Sequence, residues 1–208
     1  RNGNVIGINV ATAGNQVSFL VPASFLLGLL EGSDPSRPLS LRIAEQLQAN
    51  QARYLGKLME QPLSTVALGD YRVPGKAAAF INCSSRSDQS NERLLDTVVQ
   101  TCYTDENIYL SDNLTTGAIR MEHRLSSSEK LGSIRFWAKM EQDFSRHYGG
   151  YGGDEDQMSE FQCETQPVLH GEIRLKVVLC LRAYRDYPGL FDLIQRQITL
   201  NQSRSALS

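Results

Sequence analysis

The residues able to do chemistry in this chain are few and scattered: three histidines, four cysteines, and carboxylates without a shared spacing. His123, His147 and His170 lie in different segments, and no pair has the short separation at which two imidazoles meet on one metal ion. Each reads as a surface or hydrogen-bonded histidine. Asp154, Glu155 and Asp156 follow a glycine-rich stretch carrying Tyr148 and Tyr151. That run lacks the alternating oxygen ligands and the glycine of an EF-hand loop, so solvated charge is expected there rather than a bound cation. The glycine-spaced tyrosines read as a flexible loop able to make aromatic contacts. Neither a metal nor a cofactor is expected.

Cys83, Cys102, Cys163 and Cys180 fall into two separated pairs. Four cysteines permit three connectivities. Closure within each pair, Cys83 with Cys102 and Cys163 with Cys180, is the simplest, because each loop is short and each pair flanks a plausible hairpin or strand. Loops of this size each stabilise the fold by about 3 kcal/mol when closed. The competing reading is four buried thiols in a reducing cell. Disulfides are preferred, since no CxxC or CxxH pair suggests zinc, and they imply a periplasmic or secreted location.

The elements that must position these residues change character along the chain. Val5 to Thr12 is rich in β-branched residues and reads as a strand, Ala13-Gly14-Asn15 as a turn, and Val17 to Val21 as a second strand. After Pro22, Phe25, Leu26, Leu29 and Leu30 recur at helical spacing, and Gly32 is a stop. The breaker cluster from Gly32 to Pro38 is the best domain boundary, dividing residues 1–33 from 36–208. Leu39 to Gln61 reads as an amphipathic helix with Leu39, Ile43, Leu47, Tyr54, Leu58 and Met59 on or near one face. Pro62 ends it.

Beyond Pro62 the signal is mostly β. Strand-like runs are expected at Ser64 to Val73, Ala77 to Cys83, Arg93 to Tyr103, Ala118 to Leu125 and Ile134 to Met140. Ile173 to Tyr184 is the strongest strand, and Pro188-Gly189 turns it towards a hairpin partner at Leu190 to Leu200. A faint repeat relates Glu92 through Cys102 to Glu172 through Cys180, which suggests two copies of a disulfide-pinned strand pair. The match needs a gap, so coincidence is an equal reading.

Composition bounds the function. The chain has 208 residues, 41% hydrophobic and 21% charged, as a globular protein does. A net charge of −2 without a basic block argues against nucleic acid as a partner. The most apolar stretch, Phe19 to Leu30, is broken by Pro22, Ser24 and Gly28 and falls short of the ~20 residues that span a bilayer. No membrane span is expected, and no signal peptide within that stretch.

The order Asn2-Gly3-Asn4-Val5-Ile6-Gly7-Ile8-Asn9-Val10-Ala11, then Val17-Ser18-Phe19-Leu20-Val21-Pro22, resembles the closing segment of a chymotrypsin-fold, trypsin-like serine protease domain of the HtrA type. The resemblance covers residues 1–31. It implies the terminal hairpin and helix of a chymotrypsin-like barrel, followed by an accessory domain that the residues themselves describe as α+β and mostly antiparallel. It further implies that Val10, Ala11 and Thr12, with Gln16, Val17 and Ser18 on the returning strand, form walls of a substrate site. There an extended peptide or protein substrate would pair with the backbone. The small Ala11 and Ser18 suggest an uncharged side chain in that pocket.

One departure from the family governs the rest. Acyl transfer needs a nucleophilic serine, a histidine base, an orienting carboxylate and an oxyanion hole. No GxSxG or GxSGGP motif occurs in the chain. In the family's order the triad lies upstream, so this polypeptide alone is expected to be inactive, with a missing N-terminal protease portion as its partner. A homo-oligomer formed by hairpin exchange is also open to it. The rival reading is a non-catalytic binding or adaptor protein, either a pseudoprotease derivative or an unrelated β-rich module.

Overall fold

A computed structural model describes residues 4–12, 18–31, 36–60, 62–88, 94–105, 107–145, 152–200 and 205–207. The chain divides into two compact units, Arg1–Arg42 and Ile43–Ser208.

In the first unit, strands β1 (Gly7–Thr12) and β2 (Ser18–Pro22) pair antiparallel, and helix α1 (Ala23–Glu31) follows directly. The register runs from Gly7 opposite Pro22 to Thr12 opposite Ser18, with an irregularity between Asn9 and Ala11. Gly7 is required by space. A Cβ there would lie 2.6 Å from the Val21 carbonyl oxygen and 2.7 Å from the Leu20 side chain. Ala23 N donates to Ile6 O at 3.0 Å, tying the helix start to the hairpin's open end.

Helix α2 (Leu39–Met59) begins just before the unit boundary. Within the second unit, Leu47 packs with Leu114, Met158, Tyr184 and Leu190, and Ile43 lies against that cluster. The apolar face is therefore narrower than its spacing suggests, since Leu39 and Met59 are exposed.

The expected strand from Ser64 to Val73 is instead a hairpin. Strands β3 (Thr65–Leu68) and β4 (Tyr71–Pro74) pair around Gly69, whose φ of 60° a side chain would disfavour. The turn also sits so close to Leu125 that a Cβ on Gly69 would meet that side chain at 2.5 Å.

Two larger antiparallel sheets follow. Strands β5 (Ile81–Asp88), β6 (Asp96–Thr104) and β9 (Arg120–Ser127) are joined by β13 (Ser205–Leu207) in the order β13-β9-β6-β5. A small hairpin, β7 (Ile108–Ser111) and β8 (Leu114–Thr116), lies between β6 and β9 in the chain. Strands β10 (Gln162–His170), β11 (Ile173–Ala183) and β12 (Phe191–Thr199) form the second sheet in sequence order. All described pairings are antiparallel. The fold is thus β-rich α+β, and the strands among the described residues form no closed barrel.

The segment from Ile134 to Met140, expected as a strand, lies in helix α3 (Ser133–Ser145). Phe136, Met140 and Phe144 recur every fourth residue, the helical period, and all three are buried. They pack on Val178, Cys180, Ile198 and Ala206, so α3 covers one face of the second sheet and reaches β13. Phe136 is fully buried and meets Trp137 edge-on at 5.6 Å. The first sheet and the second approach each other at β13 and β12, where Leu207 N donates to Thr199 Oγ1 at 3.0 Å.

Candidate functional site

Both disulfides close as the cysteine spacing suggests, Cys83–Cys102 and Cys163–Cys180. Each joins directly opposed residues of an antiparallel pair, β5 to β6 and β10 to β11. In each case the first strand lies at a sheet edge, and the bond sits towards the open end of the hairpin, where a strand would otherwise fray. The two sheets therefore share a three-strand meander with the same cross-link between first and second strands. Two disulfides, and no described helix long and apolar enough to cross a membrane, are compatible with a periplasmic or extracellular location.

Of the six residues expected to wall a substrate site, Val10, Ala11, Thr12 and Ser18 lie at one end of the β1–β2 hairpin, with Thr12 opposite Ser18. Gln16 and Val17 lie outside the described residues, as do His147, Tyr148 and Tyr151. Val10 is exposed within its strand.

Asp154 resolves the acidic run. Its Oδ1 accepts from Asp156 N and Gln157 N at 3.1 Å each, so it closes a turn. No group of three or more potential ligands stands together among the described residues.

His123 sits half-buried on β9 against the end of the β3–β4 hairpin. Burial lowers its pKa, opposed by a backbone hydrogen bond with Pro74 that favours the charged ring. Its Nε2 is buried and has no protein partner. A second buried polar group, Arg182, is fully engaged. It donates to Asp192 Oδ2 and to Gly152 O and lies 4.7 Å from the Phe161 ring centre, while Tyr184 donates to Asp192 Oδ1 at 2.6 Å. Burial and the Asp192 hydrogen bond raise the Tyr184 pKa well above that of an ordinary phenol. These contacts fasten the segment at Gly152 to the second sheet and are structural.

The most developed polar surface is one face of the first sheet. Antiparallel register aligns three rows across β5, β6 and β9: Asn82–Tyr103–Arg120, Ser84–Thr101–Glu122 and Arg86–Val99–Arg124. Glu122 accepts from Arg120 Nη2 at 2.7 Å through one oxygen and from Arg124 Nη2 at 3.0 Å through the other. Partial burial raises the Glu122 pKa, but the two arginine hydrogen bonds and charges outweigh it and the carboxyl sits below its usual range. A depression of about 130 Å³ opens here, lined in part by Ser84, Arg86, Thr101, Arg120 and Glu122. Small-molecule sites run to roughly 300–1,000 Å³, so this one fits a side chain rather than a whole ligand. Exposed ion pairs contribute at most about 1 kcal/mol each, so stability alone does not explain the row.

This face was readable in principle. Arg120, Glu122 and Arg124 alternate along a segment whose strand character is evident, which places all three on one side. Their convergence with Arg86, from a strand distant in sequence, was not readable. No family model, curated protein or solved structure matches the chain.

Proposed function

We propose that the chain is the C-terminal portion of a secreted or periplasmic trypsin-like serine endopeptidase, with residues 36–208 as an accessory domain for regulation or recognition. The reading rests on the first thirty residues. Their order of strand, strand and helix accompanies the sequence G-x-V-I-G-I-N followed by F-L-V-P. The carrying observation is the apolar surface of that segment: Ile6 is 79% exposed, and Val5, Val10, Phe25 and Leu27 are exposed as well. A hairpin with one helix cannot bury such side chains itself, whereas the rest of a protease barrel would. In this reading Val10, Ala11, Thr12, Gln16, Val17 and Ser18 face substrate, and the catalytic triad belongs to the preceding polypeptide.

Labelling with a fluorophosphonate tests the proposal. The full gene product should be labelled at a serine shortly before Arg1, and this chain alone should not. An unlabelled but folded full-length protein, with no serine motif upstream, would overturn it.

The non-catalytic adaptor reading has its own support. The outer face of β10–β12 presents Leu179, Leu181, Phe191 and Leu193, with Phe191 54% and Leu193 62% exposed. Contiguous apolar patches of several hundred Å² usually mark interaction surfaces.

A further inference from the structure

The two pinned edge strands differ in one respect that bears on binding. The Cα atoms of Cys83 and Cys102 are 4.0 Å apart, as are those of Cys163 and Cys180. So close an approach marks a non-hydrogen-bonded pair, in which the backbone N–H and C=O of each residue point away from its partner. Alternation then turns the backbone groups of Cys83, Ser85 and Ser87 outward from β5, and those of Cys163, Thr165, Pro167 and Leu169 outward from β10. On β10 the outward set includes Pro167, which has no N–H, and this blunts the edge. No proline interrupts β5. The far edge of the second sheet, β12, meets β13 at its last residue, where Leu207 N donates to the Thr199 hydroxyl. Among the described residues, β5 is a proline-free sheet edge without a partner strand on its outer side, and the lined depression opens beside it.

Chemistry on the adjoining face narrows the occupant. A strand added beside β5 would place alternate side chains next to Ser84 and Arg86, at the mouth of the depression that Arg120 and Glu122 also line. Arg86 and Arg124 share a row, so an added strand meets a cationic position there, beside the row that carries Glu122. Asp88 follows Arg86 on the same face of β5, and Asp105, held by Asn82 Nδ2, stands towards the other end, where the row also carries Arg120. On its opposite face β5 itself presents only the small side chains of Cys83, Ser85 and Ser87.

We propose that β5 is a strand-addition site for an extended segment of another polypeptide. That segment carries a carboxylate side chain beside Arg86, and basic or neutral residues on either side. Main-chain hydrogen bonds to Cys83, Ser85 and Ser87 hold the segment, and Arg86 selects its register. The inference stands on the second unit and does not depend on the protease reading, so either can fail without the other.

The test uses the whole chain and a fluorescein-labelled peptide of alternating threonine and valine, with a central glutamate flanked by lysines. Control peptides carry glutamine or lysine at the centre. Anisotropy should show binding of the glutamate peptide, and amide hydrogen exchange should slow at Cys83, Ser85 and Ser87. Ser85→Pro removes one outward donor and should abolish binding. Arg86→Glu, a change on an exposed side chain, should weaken the glutamate peptide about tenfold or more and favour the lysine peptide. Circular dichroism verifies that both variants are folded. No binding to the folded chain, binding indifferent to both substitutions, or protection on β10 or β12 instead would overturn the proposal. So would a dimer that Ser85→Pro dissolves, which would make the occupant a second copy.

Discussion

His123 is the side chain whose chemistry depends most on its surroundings. Burial lowers its pKa, so the unfolded chain takes up a proton at a pH where the folded one does not. Stability that is full above the unfolded value of about 6.5 is therefore lost as pH falls below it, towards the folded pKa. Urea midpoints measured from pH 7.5 down to about 5 should fall, and His123→Gln should flatten that part of the profile. A wild-type midpoint independent of pH across this range, or a variant with the same slope, would remove His123 as the cause. Glu122 works in the same sense from the same strand, in a lower window: its contribution is present above the ordinary carboxyl value and is lost as pH falls through the lowered one. Its lowered pKa makes it a contributor that persists to lower pH, but on an exposed surface where its weight is small.

At the scale of elements, each disulfide holds an edge strand that has little else to hold it. Every described residue of β10 is exposed, and β5 is exposed from Asn82 to Ser87. Neither strand gains much from burial, so the cross-link and one row of hydrogen bonds carry the attachment. Replacing Cys163 and Cys180 with alanine should cost about 2–3 kcal/mol and speed amide exchange along β10, leaving β5 protected. The Cys83 and Cys102 pair should give the mirror result. Equal loss of protection on both edges from either pair would show that the two sheets open as one. Helix α3 needs no such device, because Phe136, Met140 and Phe144 seat it on β11, β12 and β13.

For the whole molecule, the second unit contains both hydrophobic clusters and both disulfides. Residues 36–208 should therefore melt in a cooperative transition when expressed without residues 1–35, with both disulfides formed. A molten or aggregated product would mean that the first unit supplies part of the core. Residues 1–35 alone should not be stable, since a single hairpin and helix bury too little apolar surface.

Local chemistry settled much of this before any contact was known. The β-branched residues from Val5 to Thr12, the turn chemistry of Ala13-Gly14-Asn15, and Pro22 followed by apolar residues at helical spacing were enough to expect β1, β2 and α1. Cysteine spacing made near-neighbour closure the simplest of three connectivities, and the opposed strands of each hairpin decided it. The short apolar run at Ile134 could not be assigned from its first seven residues, since strand and helix differ there only in period. Phe144, one turn beyond, carries the distinction. The hairpin at Gly69 went unread although the alternation changes phase there, Val66 and Leu68 before Gly69-Asp70 and Tyr71 and Val73 after it. What tertiary structure alone decided is which strands lie at an edge and which side chains share a face across strands far apart in sequence. Arg86, Arg124 and Glu122 meet only because β6 lies between β5 and β9. Strand order is set by how sheets and helices bury their faces, and no local periodicity encodes it.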